Sequence, residues 1–332
     1  MQKRWALSVP LDSHTLPEIV AVAQEAESLG YSDAWSGETD ATDAFTPLVL
    51  VALNTNMRVG TAIADAYSRG PQRLAATAAS MASVAPGRFV LGIGASSIVI
   101  VQSWNSVTYE KPVTRVREMA TVLRQMLAGE RVVFAGETIS VNGVRLGLPP
   151  QPPVPIHIAA LRPNMLSVAG SVGDGAILNF LSAEDTKKSV AVVRQAAAAA
   201  GKDPDSIEIS ARIFVSLDER GEEDDMVIRR WTTSYLNVPT YKKFQQWLGR
   251  DALTPMWRAW DEGDRKGAVA AIGQDVLDEL YIRGTPEERR AHLQRYFDCG
   301  IDTAFFHFMT GETDIEKRRA KIRQGIRDMA PR

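Results

Sequence analysis

Four stretches of this chain set polar or cationic residues beside small or side-chain-free backbone, a combination that can hold a flat or anionic ligand closely. They are Gly60-Thr61-Ala62-Ile63, Gly92-Ile93-Gly94-Ala95-Ser96, Arg162-Pro163-Asn164-Met165 and the acidic run Ser36, Glu38, Asp40 and Asp43. A lone Gly-x-Gly is more often a turn or packing solution, and this one lacks the GxGxxG frame of a dinucleotide fold. Arg162-Pro163-Asn164 reads as a helix opening, where free backbone N–H groups and the helix dipole favour an anion. Arg162 then either pairs that anion or lies on the surface of a turn. Glu38 is the preferred carboxylate to face a substrate, weighed against a solvated acidic loop. Among four histidines, His157 lies within a strand pattern and His292 within a helix pattern, and both read as structural. His14 and His307 follow or end strands, where a proton donor would stand, and His14 is the candidate carried forward.

Other chemistries find no residues to support them. Cys299 is the single cysteine, so an intramolecular disulfide and a multi-cysteine metal site are excluded, and its place before Gly300 suits a buried structural thiol. There is no Ser-His-Asp order, P-loop, zincin helix or EF-hand spacing, and no metal is expected. A formal charge of −2 with dispersed Lys and Arg gives no basic stripe for nucleic acid. No apolar run is long enough to span a membrane, and the first residues lack the apolar core of a signal peptide, so a cytoplasmic location is expected.

The elements that must position these residues form an α/β rhythm. Strand patterns fall at Trp5–Val9, Ser32–Trp35, Arg58–Ile63, Phe89–Ile93, Pro155–Ala159, Gly175–Asn179, Ile207–Val215 and Thr303–Phe308, with amphipathic helices between them. Eight such units predict a (β/α)8 TIM barrel over residues 1–332, read as one domain. Thr15 with Glu18, and Thr285 with Glu288, have capping-box spacing, each with a proline in the first turn and a glycine after the end. Two stretches interrupt the rhythm. Residues 130–147 predict a hairpin, with turn signals at Ala135-Gly136 and Asn142-Gly143, and residues 217–283 predict a mainly helical insertion before the last helix and strand.

Three blocks carry a family resemblance. The first runs from Ser36-Gly-Glu-Thr-Asp through Arg58-Val-Gly-Thr-Ala-Ile and Arg69-Gly-Pro to Gly87-Arg-Phe-Val-Leu-Gly-Ile-Gly-Ala-Ser96. The second is Pro155-Ile-His-Ile-Ala-Ala-Leu-Arg-Pro-Asn-Met165 with Gly173-Asp-Gly175, and the third is Gly284-Thr-Pro with Phe306-His-Phe308. At this spacing the chain resembles the luciferase-like monooxygenase superfamily. It is most similar to the branch of methylene-tetrahydromethanopterin reductases and actinobacterial reductases that use the deazaflavin coenzyme F420.

The resemblance implies an oxidoreductase exchanging hydride between F420 and a small organic substrate, and a homodimer. FMN-dependent monooxygenation and a non-catalytic flavin-binding barrel are the alternatives. It also implies a non-prolyl cis peptide at Ala62–Ile63 backing the cofactor ring, and cofactor contacts from Ser36, Gly92, Gly94, Ala95 and Ser96. Ala159, Ala160, Leu161, Arg162, Pro163 and Asn164 would then receive the phosphate and acidic tail. Two features of some relatives are missing. No histidine follows the second strand, and Ser96-Ser97 stand where a glutamate follows the glycine-rich strand, which points away from sugar-phosphate dehydrogenases.

Overall fold

Short runs rich in β-branched and aromatic residues, bounded by Gly, Pro or polar residues, form the strands of the computed structural model, which describes residues 2–331. Eight parallel strands are β1 (Arg4–Val9), β2 (Asp33–Ser36), β3 (Arg58–Thr61), β4 (Phe89–Gly94), β5 (Ile156–Ala159), β6 (Gly175–Asn179), β7 (Glu208–Ser216) and β8 (Thr303–Met309). Each pairs with the next, β8 pairs with β1, and the sheet closes into a barrel. Around it lie α1 (Leu16–Ser28), α2 (Thr46–Asn54), α3 (Pro71–Val84), α4 (Pro112–Leu127), α5 (Pro163–Val172), α6 (Ala183–Ala199), α7 (Pro286–Asp298) and α8 (Ile315–Asp328).

All eight strand patterns become barrel strands, and both capping boxes form. The Thr15 N–H donates to Glu18 at 2.7 Å, and Thr285 and Glu288 bond reciprocally. The helix capped by Thr285 is not the last, however. The strongly charged α8, capped by the Asp314 carboxylate, follows β8; its few apolar positions, Ile322 and Ile326 among them, hid it in the hydrophobic pattern. In the hairpin, Val132–Ala135 pairs antiparallel with Ser140–Val144, but Asn142-Gly143 is no second turn. It lies within the returning strand, where Gly143 at φ +75° meets a register shift opposite Val132 and Val133. Between β7 and α7 the chain forms helices at Glu222–Leu236, Pro239–Leu248, Thr254–Asp261, Arg265–Ala270 and Gln274–Leu280, then a short strand, Tyr281–Ile282, that pairs with Phe214 and Val215.

Inside the barrel the side chains stack in layers. At the N-terminal end of the strands, Arg58 donates to both Glu208 oxygens at 2.8 and 2.6 Å and also to Asp33, while Thr303 donates to Glu208 at 2.5 Å. Burial alone would raise the Glu208 carboxyl, but the hydrogen bonds from Arg58 reverse this and hold it well below the ordinary carboxylate value. The next layer is apolar: Ala6, Trp35, Val90, Ile177 and Phe305, with the Trp35 and Phe305 rings stacked 5.6 Å apart. Gly60 makes room for this plug, since a Cβ there would lie 2.7 Å from the Trp35 ring. Above it the barrel opens.

Candidate active site

The loop after β3 is fixed by the loop after β2. Ala62 N–H donates to the Ser36 carbonyl at 2.6 Å, and Glu38 N–H donates to the Ile63 carbonyl at 3.1 Å. The intervening Ala62–Ile63 peptide is cis and non-prolyl, the geometry expected at that position. This bulge forms one wall of a cavity of about 790 Å³ at the C-terminal ends of the strands. Gly94, Ala95 and Ser96 at the end of β4 continue the wall, with Ser96 in the left-handed region at φ +57°. A Cβ on Gly94 would lie 3.1 Å from both the Ala159 methyl and the Ile63 side chain, so three strand ends meet there with no room to spare. Ala159, Ala160, Leu161, Arg162, Pro163 and Asn164 line the next sector, where α5 begins with Arg162 at its N-cap and no side chain closing its first turn.

Two of the expected contacts lie behind this wall. Gly92 is buried and does not line the cavity; its backbone exchanges hydrogen bonds with the Thr61 hydroxyl, and a Cβ would fall 1.9 Å from the Thr61 carbonyl. Its glycine is needed for close strand packing. Ser36 is also buried off the cavity, and its neighbour Gly37 reaches the surface instead.

The acid/base candidates occupy different settings. Glu38 lines the cavity, yet one of its oxygens accepts from Arg69 at 2.6 Å and the other from the Asp65 N–H at 2.8 Å. His14 does not line it. The β1–α1 loop is drawn outward onto α8, where Arg319 donates to the Ser13 carbonyl at 2.7 Å, and His14 Nδ1 lies 2.8 Å from the Asp12 carbonyl. Trp104 is exposed outside the cavity. Buried His157 packs near the Trp35 ring, and burial lowers its pKa.

The opposite wall comes from residues that hydrophobic periodicity does not reveal. Asn179 ends β6, Arg212 projects from β7, and Tyr235, Tyr241, Lys243 and Trp247 come from the first two helices after β7. Asn179 donates to the Tyr241 hydroxyl at 2.8 Å, while its Oδ1 is buried without a partner. Arg212 donates to His307 Nδ1 at 2.9 Å, and its Nε is buried without a partner. His307 is wedged against Trp231 and Phe214, and burial followed by the adjacent Arg212 pushes its pKa well below the ordinary imidazole value. A guanidinium has no acceptor, so His307 Nδ1 carries the lone pair and the proton sits on Nε2. The one available signal was parity. Arg212 lies four positions after Glu208 in a buried strand, so both face the barrel interior.

The lining thus holds three cations, Arg162, Arg212 and Lys243, none of which enters an ion pair among the described residues, against the single carboxylate of Glu38, already matched by Arg69. No group of His, Cys, Asp and Glu among the described residues can hold a metal, and no helix among them is long and apolar enough to cross a membrane.

Comparison with known proteins places this arrangement. The chain is 25% identical to the 5,10-methylenetetrahydromethanopterin reductase of Methanolobus tindarius, over 86% of this chain and 88% of the relative. It superposes on the coenzyme F420 dependent tetrahydromethanopterin reductase of Methanopyrus kandleri with a TM-score of 0.78 at 19% identity, covering 98% of each chain. An F420-dependent secondary alcohol dehydrogenase in complex with an F420–acetone adduct aligns over 100% of both chains, also at 0.78, with 18% identity. These likenesses establish the barrel fold. The luciferase-like monooxygenase pattern matches residues 5–303, and the chain therefore belongs to the luciferase-like monooxygenase family.

Proposed function

We propose that this protein is an F420-dependent oxidoreductase that moves a hydride between the deazaflavin and a small organic substrate. The observation that carries the reading is the cavity itself, which joins a side-chain-poor wall to cations without acidic partners. A flat ring fits against Ala62, Ile63, Gly94 and Ala95, where backbone and methyl groups permit close approach. Arg162 and the uncapped start of α5 suit the phosphate and acidic tail, which would supply the anions these groups lack. The two superposed enzymes described as F420-dependent support the same choice.

When bound, F420 supplies the carbon that gives or takes the hydride. The chain's task is positioning and exclusion of water: the bulge fixes the depth of the ring, and Tyr235, Tyr241 and Trp247 close the far side over the substrate. Glu38 holds the bulge in place through Asp65 and Arg69, which leaves proton chemistry to the substrate or to solvent at the mouth. The homodimer is part of the same proposal, and sedimentation velocity reads it directly.

Equilibrium titration of the purified protein with F420 and, separately, with FMN tests the assignment. F420 is expected to bind at least tenfold more tightly. Tighter binding of FMN would replace the reading with that of a reduced-flavin monooxygenase.

A further inference from the structure

Strand order places two chemistries across the barrel from each other. In the closed sequence β7-β8-β1-β2-β3-β4-β5-β6, strands β3 and β7 lie four steps apart in either direction, so they are diametrically opposed. The Ala62–Ile63 bulge follows β3, and Arg212 stands on β7, so the guanidinium faces the bulge across the cavity.

Arg212 is an unusual cation for such a position. No carboxylate pairs with it among the described residues. One terminal nitrogen is taken by His307, Nε meets no acceptor, and the side chain lies 5.2 Å over the Phe214 ring. His307 cannot neutralise it, because a buried neutral imidazole offers only a lone pair. Beside it, the Asn179 amide is fixed by Tyr241 with its oxygen unmatched. A half-buried guanidinium left without an anion bears a desolvation cost that a bound carboxylate would remove. The planar fork also matches a carboxylate better than it matches a neutral carbonyl.

We infer that Arg212 is a specificity-determining residue that binds a carboxylate on the substrate, so that the protein takes small organic acids in preference to neutral analogues of the same shape. This inference rests on the proposed function in placing the substrate opposite the bulge. The His307 contact orients the guanidinium, and Trp231, stacked on His307 at 5.8 Å, holds the imidazole from the side of the helix at Glu222–Leu236. Arg162 and Lys243 line other parts of the cavity and remain available to an acidic cofactor tail.

The test uses trans-cinnamate and trans-cinnamamide, an acid and a neutral amide of nearly equal shape. Each is titrated calorimetrically into the intact protein, with and without saturating F420. Wild type is expected to bind cinnamate at least tenfold more tightly than cinnamamide. Arg212→Met is expected to abolish that preference while F420 affinity changes less than twofold, and Arg212→Lys, which keeps the charge and loses the fork, to retain part of it. Circular dichroism confirms folding of both variants, and Arg212→Lys carries the test if Arg212→Met fails to fold. Equal binding of acid and amide to wild type, or an undiminished preference in a folded variant, overturns the inference. So does a parallel loss of F420 affinity, which would make Arg212 a cofactor ligand. Failure of F420 to bind wild type would instead sink the proposed function, while the acid-against-amide comparison without F420 would still decide the role of Arg212.

Discussion

Gly37 stands directly against the Ala62 carbonyl: a Cβ built on Gly37 would lie 2.7 Å from that oxygen and 3.1 Å from its carbon. Both residues line the cavity, so the missing side chain at Gly37 sets where the bulge surface lies. Gly37→Ala is expected to push Ala62 and Ile63 into the space for the ring and weaken F420 binding at least tenfold. Because the contact sits in a loop at the mouth, the melting temperature should fall by only a few degrees. Fluorescence titration and thermal melting of the same preparation separate the two effects, and unchanged affinity would refute this role for Gly37.

Removing charge from the base of the barrel should act on stability alone. Glu208→Gln leaves Arg58 with Asp33 as its remaining carboxylate partner in a site where both side chains of the original pair are only about 15% exposed. Because Asp33 still compensates the guanidinium, the loss should be about 2 kcal/mol, the worth of hydrogen bonds to a charged group. Urea unfolding followed by tryptophan fluorescence measures it, and F420 affinity per folded molecule should be unchanged, because the apolar Trp35 layer separates Glu208 from the cavity. A loss below about 1 kcal/mol would place the pair among ordinary surface bridges.

If Arg162 receives the acidic tail, its effect should depend on the tail being present. Arg162→Ala is expected to weaken F420 by tenfold or more and to leave the affinity for the tail-less deazaflavin chromophore within twofold. The F420 affinity of wild type should also fall with added salt more steeply than that of the variant. Equal losses for both ligands would move Arg162 away from the tail.

His292 gives the stability curve a sign that can be checked. Burial, with a smaller contribution from Arg295, lowers its pKa from 6.5 to about 4. The unfolded chain therefore takes up the proton first. The stabilisation is complete above pH 6.5 and is lost as pH falls toward 4. His292→Phe keeps the stack on Tyr296, whose ring lies 5.5 Å away, and removes the titration. Between pH 6 and 4.5 its unfolding free energy should decline less steeply than wild type by up to about 1.4 kcal/mol per pH unit. Buried His157 and His307 shift in the same direction, so a residual slope remains. Parallel slopes for variant and wild type would show that His292 does not titrate in this window.

The barrel was legible because its strands are buried on both faces and announce themselves as apolar runs, from Trp5–Val9 to Thr303–Phe308. Local chemistry was equally readable where it is local, as in the Thr285–Glu288 box. Depth within the fold was not. Gly92 and Gly94, two apart on one strand, share a face, yet one is packed against Thr61 and Ile177 and the other reaches the cavity, a difference in height along the barrel axis that strand periodicity does not record. His14 follows a strand as a mouth residue should, but α8, which the pattern concealed, draws its loop away. The helices after β7 were expected, but the side chains they bring to the cavity, like Arg212, were not: that part of the cavity exists only after segments more than thirty residues apart have docked, as Asn179 and Tyr241 do.

The opposition of β3 and β7 has an evolutionary corollary. One half of the barrel rim carries loops of close packing, where a Cβ added at Gly37 or Gly92 would collide with backbone. The other half is furnished by β7 and the helices that leave it, through Tyr235, Tyr241, Lys243 and Trp247. Lineages can therefore diversify in what they reduce or oxidise by rewriting residues 217–283 and the β7 side chains. Laboratory libraries confined to that arc, with Lys243 kept for the acidic tail, should yield altered substrate ranges without loss of the carrier.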